Sequence, residues 1–120
     1  MGAPVTHFQI VTKDPDALAA FYSKLCGWTV SVDNPLRYRF LKTNAGRGIE
    51  GGLWPAPPHA NGFVQLHIEV ADVKASVAEA TALGAGVLVP PQSLPGGEVM
   101  AVLRDPDGIP FVLHSPAKLR

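Results

Sequence analysis

One short pattern occurs twice in this chain, and the rest of the sequence is arranged behind each copy. Residues 6–14 read THFQIVTKD and residues 64–72 read VQLHIEVAD. Each copy alternates side chains with the two-residue period of a strand and runs into an aspartate suited to capping a helix. In the first copy His7, Gln9 and Val11 fall on one face, and in the second Gln65, His67 and Glu69 do so. Behind Asp14 come Pro15 and Asp16, a helix start, and then an apolar stripe of Leu18, Phe21, Tyr22 and Leu25 closed by Gly27. Behind Asp72 come Val73, Val77, Ala80 and Leu83, closed by Gly84. Further strands are expected at residues 28–32, 36–43 and 48–54 after the first helix. The second helix is followed by expected strands at 87–89, 99–103 and 111–114, with a loop from Pro90 to Leu94. On the strand expected at 36–43, Tyr38 and Phe40 face one way and Arg37 and Arg39 the other. Gly51 and Gly52 fall inside a strand, where glycine often marks the close approach of a ligand or another backbone.

The spacing supports a duplication. His7 to Asp14 and Gln65 to Asp72 are both seven residues, and Asp14 to Leu25 and Asp72 to Leu83 are both eleven. Gly46 to Glu50 and Gly108 to Val112 are both four. Each repeat is then a strand, a helix and three strands: module one over residues 5–54, a proline-rich linker over 55–62, and module two over 63–115. One helix covers one sheet face and cannot close a core alone. The modules are therefore expected to pack together in a single domain, or to pair with those of a second chain.

Composition narrows the function classes. Lys+Arg and Asp+Glu are ten each, so nothing in the charge favours nucleic acid or an acidic membrane. No run approaches the length of a membrane span, and the start of the chain lacks a basic region followed by a long apolar run, so no signal peptide is expected. The single cysteine, Cys26, excludes an internal disulfide, and the cytoplasm is the expected compartment. No Ser-His-Asp pattern, P-loop or dinucleotide fingerprint is present.

FYSKLCGW after a DP-capped helix, and RDPDGIPFVL near the end, resemble the glyoxalase/bleomycin-resistance/extradiol-dioxygenase superfamily, the vicinal oxygen chelate proteins. The resemblance covers essentially the whole chain. It implies an α+β fold of two tandem βαβββ modules, with curled mixed sheets around a cavity and helices outside. It also implies a homodimer and, in metal-dependent members, a divalent cation held by the first and last strands of each module. Carried over residue by residue, the ligand positions fall on His7, Glu50, Gln65 and Val112. Glutamine offers a carbonyl oxygen to a hard cation and valine offers nothing. The candidate metal set is therefore His7, Glu50 and Gln65, for Zn, Fe, Mn or Ni, with Glu50 also the candidate catalytic carboxylate. His67 and His114 lie two residues beyond Gln65 and Val112, on the same strand faces, and join Arg39 and Trp54 as candidates for a substrate cavity.

Each candidate has a plainer alternative. His7 and Glu50 fit polar strand positions, Gln65, His67 and Glu69 fit a water-facing strand face, and His114 fits a fraying end. Arg37 and Arg39 fit an exposed strand face, and Trp54 and Met100 fit core packing. Two functions follow from the resemblance. One is a metal-assisted lyase, isomerase or dioxygenase acting on a small molecule. The other is a metal-free protein that binds or sequesters a small molecule, as in bleomycin resistance.

Overall fold

The computed structural model describes residues 2–117. Its elements repeat as the spacing demands. β1 (Val5–Thr12), α1 (Pro15–Cys26), β2 (Thr29–Ser31), β3 (Arg39–Lys42) and β4 (Glu50–Pro55) are followed by β5 (Phe63–Glu69), α2 (Val73–Ala82), β6 (Gly86–Ser93), β7 (Val99–Arg104) and β8 (Pro110–Ser115). The chain divides into two compact units. One is His7–Val64; the other joins residues 65–117 to residues 2–6.

In the His7–Val64 unit the strand order is β2-β3-β4-β1, with β1 parallel to β4 and the other pairs antiparallel. Asp14 caps α1 by accepting the Ala17 N–H at 3.0 Å, Pro15 opens the helix, and Gly27 closes it at φ 73. Leu41 and Leu53 are buried on the helix side of the sheet and Val11 on the other. The helix adds less than its apolar stripe predicts. None of its residues is fully buried, and Phe21 and Leu25 are 54% and 69% exposed. Its main anchor is aromatic: Tyr22 stacks on Trp28 at 5.1 Å, and Trp28 meets Phe8 at 5.9 Å.

In the other unit the order is β5-β8-β7-β6, again with the first and last strands of the repeat parallel. Each unit is thus an open four-stranded mixed sheet carrying one helix. Side-chain alternation along β5, β7 and β8 places Ile68, Val99, Ala101, Leu103, Phe111 and Leu113 beneath α2. The helix contributes Val73, Val77 and Ala80 to the same core. Asp72 caps α2 through the Ala75 N–H at 3.1 Å.

Two expectations change. Residues 90–94 are not a loop: β6 continues through Pro90 and Pro91. It is the end strand of its unit and carries register shifts between Val87 and Val89 and between Val89 and Gln92, so the missing proline N–H groups leave no ladder bond broken. His114 does not fray. It lies inside β8, and its carbonyl accepts the Val70 N–H at 2.9 Å.

Candidate functional site

The His7–Val64 unit carries a polar network on the sheet face away from α1. Parallel register sets His7 beside Glu50, Gln9 beside Gly52 and Val11 beside Trp54, so these six share a face. β3 adds Phe40 opposite Gly52. Tyr38, just before β3, lies across this face. Its phenol donates to Gln9 Oε1 at 3.2 Å and lies 3.1 Å from His7 Nε2. With the phenol proton directed at Gln9, His7 Nε2 carries a proton and donates to the phenol oxygen.

Three features position Tyr38. Asn34 brackets its backbone, accepting the Tyr38 N–H and donating to the Tyr38 carbonyl, both at 2.7 Å. Gly52 leaves room for the ring, because a Cβ there would overlap the phenol. Phe40 packs edge-on at 4.8 Å and Trp54 lies at 5.9 Å. Burial pushes the Tyr38 phenol well above its ordinary value, since ionisation would place a charge where water cannot solvate it. Gly51 makes room in the same way for the Phe8 ring on the opposite face. The two glycines thus admit aromatic side chains of this chain, where a ligand or backbone was the expectation.

Two of the candidate metal ligands, His7 and Glu50, lie in the His7–Val64 unit. His7 and Glu50 are neighbours across β1 and β4, as counting predicted. However, His7 Nε2 is engaged by the phenol, and the exposed Glu50 carboxylate accepts the Thr43 N–H. Gln65 belongs to the other unit, where it is 5% exposed and its Oε1 meets no hydrogen-bond donor among the described residues. Among the described residues no group of three or more His, Cys, Asp and Glu is placed to hold a cation.

The other candidates divide between the units. His67 and His114 share a face of the second unit with ring centroids 5.9 Å apart. His114 Nε2 meets Thr6 Oγ1 at 2.9 Å. Val112 lies opposite His67 across β5 and β8, so the strand registers of the two repeats are not the simple copies that counting from glycine implied. Arg39 is on the helix side of β3, paired with Asp16 at 3.0 Å. Trp54 is 42% exposed, which rules out the core-packing alternative. Sequence reasoning missed Tyr38 and Gln9 as site residues. The available signal was Gly52, whose absent side chain had to be matched by a large one nearby.

No helix among the described residues is long and apolar enough to cross a membrane. A family model described as a glyoxalase-like domain matches residues 7–114. The chain is 34% identical over 113 residues to CFP32 of Mycobacterium tuberculosis, a protein named as a glyoxylase. The match covers 91% of this chain and 42% of that relative's length. Among solved structures, methylmalonyl-CoA epimerase from Mycobacterium tuberculosis superposes with a TM-score of 0.68 at 17% identity, covering 94% of this chain and 87% of the epimerase. The Streptomyces coelicolor epimerase, in complex with 2-nitronate-propionyl-CoA, gives 0.66 at 23% identity, covering 97% and 99%. The structural neighbours share the fold of paired βαβββ repeats, and the family match over nearly the whole chain makes the protein a member of the glyoxalase-like family.

Proposed function

We propose that the protein binds a small organic molecule on the polar sheet face built by His7, Gln9, Tyr38 and Glu50, without a divalent cation held there. The observation that carries this reading is the His7–Tyr38–Gln9 network. It engages the imidazole nitrogen that would otherwise meet a metal, and it leaves a neutral phenol and an imidazole side by side as hydrogen-bonding groups. The phenol, with its raised pKa, keeps its proton through the physiological range, and a ligand carbonyl or carboxylate oxygen would take that hydrogen bond in place of Gln9. The structural neighbours include an epimerase seen with a CoA ester analogue, so the fold accommodates small-molecule ligands. On this reading the chain resembles the resistance-type, sequestering branch. A cytoplasmic homodimer remains part of the proposal.

Elemental analysis of protein purified without chelators, followed by thermal unfolding with Zn, Mn, Ni or Fe(II) and with EDTA, tests the reading. Substoichiometric metal and an unchanged Tm are expected. A second reading, a metal-assisted lyase, isomerase or dioxygenase with Glu50 as ligand or proton carrier, draws on the adjacency of His7 and Glu50. Stoichiometric metal that is lost in both His7→Ala and Glu50→Ala would establish that reading and overturn the first.

A further inference from the structure

The loop that delivers Tyr38 also delivers Arg37, and to a different place. Arg37 N–H donates to the Asn34 carbonyl at 3.0 Å, closing a turn in which Arg37 takes φ 52, a conformation that L residues rarely adopt. Arg37 lines a cleft of about 540 Å³ within the His7–Val64 unit, together with Val32, Leu36 and Trp54. Among the described residues its side chain has no ion-pair or hydrogen-bond partner. Arg39 and Asp16, already paired with each other, are the other charged groups of the cleft. Two guanidiniums against one carboxylate leave a single positive charge, which matches a monoanion. Leu36 and Trp54 are 49% and 42% exposed, so an apolar body can cover them while its charged end meets Arg37.

We infer that this cleft is a binding site for a small carboxylate with a flat apolar body, its carboxylate held by Arg37 and its body resting on Trp54 and Leu36. The site stands apart from the proposed role of the His7–Tyr38 face, and either can fail without the other. Its test is calorimetric titration of the full chain with 2-naphthoate and with the neutral 2-naphthalenemethanol. Arg37→Gly is the informative variant, because glycine accepts the positive φ and so removes the charge while keeping the turn. Saturable naphthoate binding is expected, about tenfold or more tighter than the neutral analogue. Arg37→Gly should reduce it to the neutral level with Tm unchanged or raised. Equal affinity of wild type and Arg37→Gly, equal affinity for the acid and the alcohol, or no saturation up to about 10 mM would each overturn the assignment.

Discussion

At the residue scale, the chemistry of the His7–Val64 unit turns on one phenol. Tyr38 is buried enough to resist ionisation, yet its hydroxyl joins two side chains of β1. Replacing it with phenylalanine leaves Gln9, itself 8% exposed, short of a donor, so Tyr38→Phe should cost about 1 kcal/mol near neutral pH. The pH dependence of that cost has a definite sign. The unfolded phenol ionises near the ordinary value of 10.0, while the folded one keeps its proton to higher pH. Above that value the unfolded chain binds fewer protons than the folded one, so stability falls as pH rises. The contribution is thus fully present below pH 10 and is lost toward the raised value. Urea unfolding of wild type and Tyr38→Phe from neutral to alkaline pH should show the gap between them closing above pH 10. A constant gap would mean that the phenol is not held neutral by burial.

At the element scale, much of the fold is legible because each element has its own chemical signal. Asp14 and Asp72 cap the two helices with the same side-chain bond, to Ala17 N–H and Ala75 N–H. Asp14→Ala and Asp72→Ala should each cost about 1 kcal/mol in equilibrium unfolding. A silent Asp14→Ala would place α1, which has no fully buried residue, outside the cooperative transition. What could not be read was governed by position in the sheet. Pro90 and Pro91 argue against a strand unless it lies at an end of its sheet, and neighbour order is not written in the residues themselves. Likewise, counting from glycine placed His7 beside Glu50 but did not anticipate Val112 beside His67. The residues joining β7 to β8 are fewer than those joining β3 to β4, and the register shifts with them. The surroundings of the candidate metal ligands were hidden for a related reason. Spacing can bring His7 and Glu50 together, but it does not reveal that a tyrosine from a loop more than thirty residues along the chain engages the imidazole first. β4 carries the sharpest test of that arrangement. Gly52→Ala puts a methyl group where the phenol lies, so it should cost about 1–3 kcal/mol and displace Tyr38 from His7. Loss of the His7–Tyr38 ring cross-peaks in NMR would report the displacement. An undisturbed network with full stability would show that the close approach is not required.

At the scale of the whole molecule, the compact units do not follow the two halves of the sequence. Residues 2–6 fold with the second repeat: the Pro4 carbonyl accepts the Glu69 N–H at 3.0 Å, and Thr6 Oγ1 meets His114 Nε2 at 2.9 Å across 108 residues of chain. Closing so long a loop costs only slightly more than closing a shorter one, so a few well-placed bonds can hold it. The repeat therefore describes how the sequence is organised, and the compact units describe how it is held. Thr6→Val keeps shape and removes the hydroxyl, leaving the half-buried His114 ring without that partner. The expected cost is about 1 kcal/mol, borne by the second unit. Hydrogen exchange can localise it, because the Val70 N–H bonds to the His114 carbonyl and so reports on the same strand. Faster exchange at Val70 in Thr6→Val, with α1 amides unchanged, is the expected pattern. Unchanged exchange at Val70 would mean that the first residues of the chain rest on the second repeat without stabilising it.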